Sequence, residues 1–155
     1  MTPAINLAKT SKINYKIHEY IHDTSNESYG LEASQKLGVD ENRVFKTLVI
    51  QLDTNDFAVG VVPVSSMLSM KLIAKTLNAK KAKMAEQSDV ERLTGYVLGG
   101  VSPLAQKKRL KTVIDISAKE YSSIFVSAGK RGLEIELSAY DLSKLLNGTL
   151  AKICQ

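Results

Sequence analysis

The sequence predicts an α+β domain around a mixed, mostly antiparallel sheet, closed as a barrel-like core with surrounding helices. Short runs rich in Val, Ile, Leu and Tyr recur along the chain, as at 45–52, 57–64 and 133–137, each bounded by turn residues. Helical stretches are scattered among them. The 155 residues contain no repeat, linker or low-complexity tract, so residues 1–155 form one domain. A domain of this size buries roughly 70% of its unfolded surface without metals or disulfides.

Taken in order, Thr2-Pro3 is a helix start, a hydroxyl cap followed by proline, and that helix runs to about Lys12. Residues 14–21 alternate as a strand, 22–30 make a polar loop, and a short helix over 31–37 stops at Gly38. A turn or single helical turn over 40–43 leads into the clearest strand, 45–52. A polar turn at 53–56 returns the chain as a buried strand over 57–64. Ser65, Ser66 or Ser69 then caps a helix whose Met70, Ile73, Ala74 and Leu77 share one face, with Lys71 and Lys75 facing water. A short strand near 82–85 and a helix near 88–93 follow, then short strands over 96–98 and 111–116 on either side of a glycine loop. After a helical turn at 118–121, strands 123–127 and 133–137 form a hairpin around Gly129-Lys130-Arg131-Gly132. There Leu133, Ile135 and Leu137 face inward and Glu134 and Glu136 outward. Ser138 and Asp141 have capping spacing for a last helix ending near Asn147-Gly148.

A formal charge of +5 and a pI near 9.2 suit a polyanionic partner. Cys154 is the one cysteine, which excludes an intramolecular disulfide, and a frayed tail there would hold a nucleophile poorly. The start of the chain lacks a charged and then apolar leader, and the longest apolar run is too short to span a bilayer. A cytoplasmic protein without a membrane partner is expected.

Two places invite a functional reading. Gly99 and Gly100 leave backbone N–H groups uncovered, Pro103 stiffens the loop, and Lys107, Lys108, Arg109 and Lys111 follow at once. That arrangement suits a phosphate-bearing ligand, and equally a tight turn with a solvated basic segment. Lys46 shares a strand face with Leu48, Ile50 and Leu52. It either snorkels to solvent or stands at a cavity mouth as a point charge for an anionic or carbonyl oxygen. Conventional catalytic apparatus is missing. His18 and His22 have no metal-ligand partners, no nucleophile or Walker motif occurs, Ser102 lacks a base, and Asp115 reads as a surface partner of Lys111.

Several motifs together resemble the YbaK family of free-standing bacterial cysteinyl-tRNA(Pro) deacylases, related to the editing domain of prolyl-tRNA synthetases. They are Thr2-Pro3-Ala4, Arg43-Val44-Phe45-Lys46-Thr47-Leu48-Val49, Gly95-Tyr96-Val97-Leu98-Gly99-Gly100-Val101-Ser102-Pro103, Gln106-Lys107-Lys108-Arg109 and Ser127-Ala128-Gly129-Lys130-Arg131-Gly132. The resemblance spans essentially the whole chain, with Ala105 and Ala128 where close relatives carry glycine. It implies a mixed β-barrel and hydrolytic removal of cysteine from mischarged tRNA(Pro), with no cofactor and no metal. Lys46, Gly100 and Ser102 then become catalytic residues. Tyr20, Phe45, Thr47, Gly99, Val101, Pro103, Ser127 and Gly129 become substrate-binding residues. Lys107, Lys108, Arg109, Lys111, Lys130 and Arg131 would meet tRNA, and prolyl-tRNA synthetase is the implied partner. Proline and cysteine are too alike for a pocket to separate by shape alone. In the family the substrate's own thiol is thought to attack its ester. A non-catalytic module binding tRNA or a nucleotide is the alternative.

Overall fold

The computed structural model describes residues 1–26 and 28–155; Glu27, within the polar loop expected over 22–30, lies outside the described residues. Helix α1 (Pro3–Thr10) begins where Thr2 Oγ1 accepts from Ile5 N–H at 3.2 Å. The same hydroxyl donates to Ala128 O, so the cap also ties the helix to the sheet. Ala4 and Ala8 are fully buried, and their small side chains let α1 lie close on the core. Strand β1 (Tyr15–Glu19) precedes α2 (Tyr29–Leu37), which ends on left-handed Gly38 at φ +68°. Strands β2 (Phe45–Leu52) and β3 (Phe57–Pro63) form the central hairpin. Helix α3 (Met70–Thr76) is capped by Ser69, whose hydroxyl accepts from Leu72 N–H at 3.1 Å. Then come β4 (Ala82–Met84), α4 (Gln87–Thr94), β5 (Lys111–Asp115), β6 (Ile124–Lys130), β7 (Leu133–Leu137), α5 (Ala139–Leu146) and β8 (Thr149–Ala151).

The strands form two sheets, β1-β7-β6 and β4-β2-β3-β5-β8, and four of their six pairings are antiparallel. The domain is α+β as expected, but the barrel is not: neither sheet closes. The reason lies in β2. One edge is paired with β3 along 45–51, and the other with β4 at 50–52, so the three-stranded sheet reaches it only through one bridge, Val44 to Phe125. Side chains from both sheets, among them Phe45, Val49, Ile124, Val126, Ile135 and Leu137, fill the main core.

Three further expectations need correction. Residues 96–98 are not a strand. Tyr96 turns inward to donate its phenol to Leu104 O at 2.6 Å, and Gly100 N–H closes a turn on Val97 O at 2.9 Å. The tail is not frayed. Strand β8 pairs with β5, Leu68 bridges Cys154, Ser69 N–H donates to Ile153 O at 2.7 Å, and Ile153 is fully buried. Asp115 is not a surface partner of Lys111. It is buried, and its carboxylate accepts from Ser117 N–H at 3.1 Å and Ile153 N–H at 3.0 Å. Those bonds hold its pKa below the usual carboxylate range against the opposing effect of burial.

Candidate functional site

A cavity of about 350 Å³ opens between α2, the first half of β2, the outer face of β6 and β7, and the loop at 98–101. Because β4 pairs only with 50–52, the first half of β2 has an uncovered edge, and the cavity lies along it. Tyr20, Phe45, Lys46, Thr47, Gly99, Val101 and Ser127 line it, all expected at the site from the family resemblance. Thr47 Oγ1 is buried and meets no hydrogen-bond partner among the described residues. Lys46 is half-buried. Burial lowers its ammonium pKa, and the Cys154 thiol lies nearby. That thiol is itself pushed up to about 12, first by burial and then by Asp115, so it stays protonated and is no nucleophile at neutral pH.

The residue the sequence reading missed is Glu134. Alternation places it opposite the inward Leu133 and Ile135, which suggested solvent. The opposite face of β7 is itself covered, and Glu134 is 7% exposed and lines the cavity. Burial pushes its carboxyl up to about 8, so it is neutral in the empty protein at pH 7. Burial pushes Tyr20 up to about 12, with the carboxyls of Glu134 and Glu32 adding to the shift. Glu32 is also buried and collects His22 Nδ1 at 2.6 Å, Asp23 N–H at 2.8 Å and Lys36 Nζ at 3.2 Å. These bonds hold it ionised. An apolar residue on the same face, Phe125 at 2% exposure, was the sequence signal that this side of the hairpin is covered.

The glycine loop is fixed from behind. Arg131 lies over the Tyr29 ring at 4.2 Å and donates from Nε and Nη2 to Leu98 O at 3.2 and 2.9 Å. A Cβ on Gly99, at φ +87°, would fall 2.3 Å from Arg131 Nε and 2.9 Å from Tyr29 Cε2, so no side chain fits there. Gly100, Ser102, Pro103 and Gly129 are not among the lining residues. Gly100 packs on the Lys130 backbone, 3.1 Å from where its Cβ would be. Ser102 is fully buried and its hydroxyl accepts from Leu104 N–H at 3.2 Å, which shapes the loop. Gly129, at φ +102°, packs against Tyr96.

Of the expected tRNA-binding residues, Arg131 stands at the glycine loop and Lys130 beside Gly100, and the others lie apart from them. Lys107, Lys108, Arg109, Lys111 and Lys130 are exposed. Lys108, Arg109 and Lys111 join Arg92 and Asp56 around a second groove beyond the far end of β2. With eight residues, β2 spans about 26 Å, so this groove is remote from Lys46. Among the described residues no group of three or more His, Cys, Asp or Glu could hold a metal, and no helix is long and apolar enough to cross a membrane.

Residues 27–145 match the aminoacyl-tRNA editing domain family. The chain is 37% identical over 152 residues, 98% of its length and 92% of the relative's, to an Enterococcus faecalis protein named "Putative Cys-tRNA(Pro)/Cys-tRNA(Cys) deacylase EbsC". An uncharacterised Bacillus subtilis protein is 26% identical over 113 residues, 73% of this chain and 71% of that one. Among solved structures, a hypothetical protein superposes with a TM-score of 0.88 at 22% identity, covering 99% of both chains. Another, described as "a putative trans-editing enzyme for prolyl tRNA synthetase", has a TM-score of 0.85 at 19% identity, covering 100% of this chain and 99% of that one. These two likenesses show the fold.

Proposed function

The chain belongs to the aminoacyl-tRNA editing domain family, and on that premise we propose that it removes cysteine from mischarged Cys-tRNA(Pro) by substrate-thiol-assisted cleavage. The observation that carries this reading is the make-up of the cavity. It offers hydroxyls, a buried acid and an ammonium, but no histidine or cysteine among the described lining residues to activate or act as a nucleophile. The substrate brings its own. A cysteinyl thiol with a pKa near 8.5 is a few per cent thiolate at neutral pH. Its sulfur attacks the ester carbonyl, a C–S bond forms as the C–O bond to the ribose breaks, and the departing oxygen takes the proton the thiol gave up. Water then opens the small cyclic thioester to free cysteine. Confinement raises the effective molarity of the thiol to roughly 10⁵ M or more.

The cavity residues divide the work. Lys46 meets the ribose or phosphate of the terminal nucleotide. Glu134 receives the substrate's α-ammonium, which restores the carboxylate that burial alone suppresses. Backbone groups of Gly99 and Val101 shape the wall against which the aminoacyl end folds, and Lys107, Lys108, Arg109, Lys111 and Lys130 attract the RNA without reading its sequence. A tRNA substrate makes the cytoplasm the place of work and prolyl-tRNA synthetase, the source of the error, the natural partner.

The test compares purified protein on Cys-tRNA(Pro) and Ser-tRNA(Pro) at saturating enzyme in single turnover. Cysteine should be released and serine barely, because a hydroxyl is almost wholly un-ionised at neutral pH. Equal rates would assign attack to water or to the ribose hydroxyl, and release of neither would leave a binding module.

A further inference from the structure

Hydrogen bonds along β2 alternate between its two edges. Val44 O accepts from Val64 N–H and Leu52 N–H donates to Asp56 O, both at 2.8 Å, so even-numbered residues turn their backbone groups toward β3. Odd-numbered residues turn theirs to the opposite edge, where Val49 O accepts from Ala85 N–H at 3.0 Å. The register Ile50 to Met84 makes the next rung Thr47 opposite residue 87. There the ladder fails, because Gln87 already begins α4. On the other flank the second sheet meets β2 only at the Val44–Phe125 bridge. The rung at Thr47 therefore stands vacant, facing the cavity, beside a Thr47 hydroxyl that is buried without a partner among the described residues. Buried polar groups are ordinarily paired, so an unpaired buried hydroxyl beside a ladder position that β4 leaves unfilled marks a place that a ligand completes.

We infer that this vacant rung is the subsite for the aminoacyl group, which pairs with the Thr47 main chain as one residue of an added strand. An aminoacyl ester carries the nitrogen and carbonyl of a strand residue at the same spacing. Its α-ammonium donates to Thr47 C=O, and its carbonyl oxygen accepts from Thr47 N–H. That oxygen bears the negative charge once the thiolate has attacked, so Thr47 N–H is an oxyanion donor. In the sense of β4, which runs antiparallel to β2, the ester oxygen and nucleoside leave toward the Phe45 end, where Lys46 stands. In a hydrogen-bonded antiparallel pair the two Cα atoms lie about 5.5 Å apart with side chains on the same side. The substrate's thiol thus lies against Thr47 Oγ1. This assignment rests on the editing reading above and adds the atoms that hold the substrate.

Two measurements test it. The first needs no turnover: the Thr47 amide is followed by NMR and hydrogen exchange while the protein is titrated with a non-hydrolysable probe, 3′-cysteinylamino-3′-deoxyadenosine. The Thr47 N–H should shift and gain protection; an amide unaffected by the bound probe overturns the assignment whether or not the protein is a deacylase. The second replaces the Thr47 N–H with an ester oxygen through an α-hydroxy acid. Single-turnover cleavage of Cys-tRNA(Pro) should fall about 10²-fold, in line with loss of one oxyanion donor. The melting temperature should hold, since β4 pairs only with 50–52 and leaves the Thr47 position of that ladder unfilled. The same replacement at Gln51, whose rung with Lys83 is occupied, should do the reverse. Wild-type cleavage by the Thr47 ester, or a melting loss equal to that of the Gln51 ester, overturns the assignment while leaving the deacylase reading intact.

Discussion

The two ends of the β2–β3 hairpin do different kinds of work with the same strand. At the Lys46 end the walls are apolar, the few polar groups are buried, and their ionisation is governed by burial. At the far end Arg92, Lys108, Arg109 and Lys111 stand around a groove open to water, with the Asp56 carboxylate among them. Interactions at the first end act in a low dielectric and depend on ångström placement. Those at the second are screened within about 8 Å at physiological salt and tolerate imprecision. On the proposed reading, chemistry falls to the dry end and capture of RNA to the wet one, so the two should separate cleanly under mutation.

The largest expected effect is at the dry end. Lys46→Ala should lower single-turnover deacylation by about 10²-fold, the scale of misplacing the reacting group when a contact that positions the substrate is lost. Its thermal melt should stay near wild type, since Lys46 makes no ion pair among the described residues. A wild-type rate would reduce Lys46 to a snorkelling side chain.

Next comes Glu134→Gln, read as stability against pH. The folded carboxyl titrates near 8 against an unfolded value of 4.5. Its contribution is therefore fully present below about pH 4.5 and is lost as pH rises through about 8, at up to about 1.4 kcal/mol per pH unit. The glutamine variant lacks this slope. Melts at pH 6 and pH 9 should show the wild type falling more than the variant, and parallel curves would mean that Glu134 is ionised in the empty cavity.

The smallest effect is at the wet end. Lys108→Glu with Arg109→Glu should leave the single-turnover rate at saturation unchanged and weaken tRNA binding. The salt dependence of that binding should flatten by about one logarithmic slope unit for each phosphate no longer neutralised. A fall in the saturated rate instead would join the two ends that the structure keeps apart.

How much of this was legible follows the range of the forces involved. Strand β2, the Ser138 cap and the stop at Gly38 depend on neighbours within a few residues, and the sequence shows them, with Ser69 one of three candidate caps. Strand β8 does not show itself, because its three residues are held by β5 and its neighbours by Asp115, 38 positions before Ile153. Alternation along β7 shows that Glu134 and Ile135 face opposite ways, but not that both faces are covered. Tyr96 has strand-forming neighbours, yet burying its ring and bonding Leu104 O prevail over local preference. The barrel fails for a similar reason, since which strand takes the second edge of β2 is decided by the short β4. At the candidate site, Lys46 and the glycine loop stood out by residue type. The vacant edge of β2 is a property of where β4 stops.

The Arg131 clasp also sets a clock. One guanidinium joins α2, the loop carrying Leu98 and Gly99, and the β6–β7 turn, through a stacked ring and two bonds to a single carbonyl. Each of these interactions contributes only about 1 kcal/mol at a solvent-exposed position, but all must break together for that wall to swing away. Opening of such a wall is a lid-like motion, slower than the rotamer hopping of a free side chain. Under the proposed reaction, an ester that enters past this wall would be held while a minor thiolate fraction finds its carbonyl. On the editing reading, the residence time of the aminoacyl end behind Arg131 and Tyr29 would then join the chemistry in deciding which amino acid is removed.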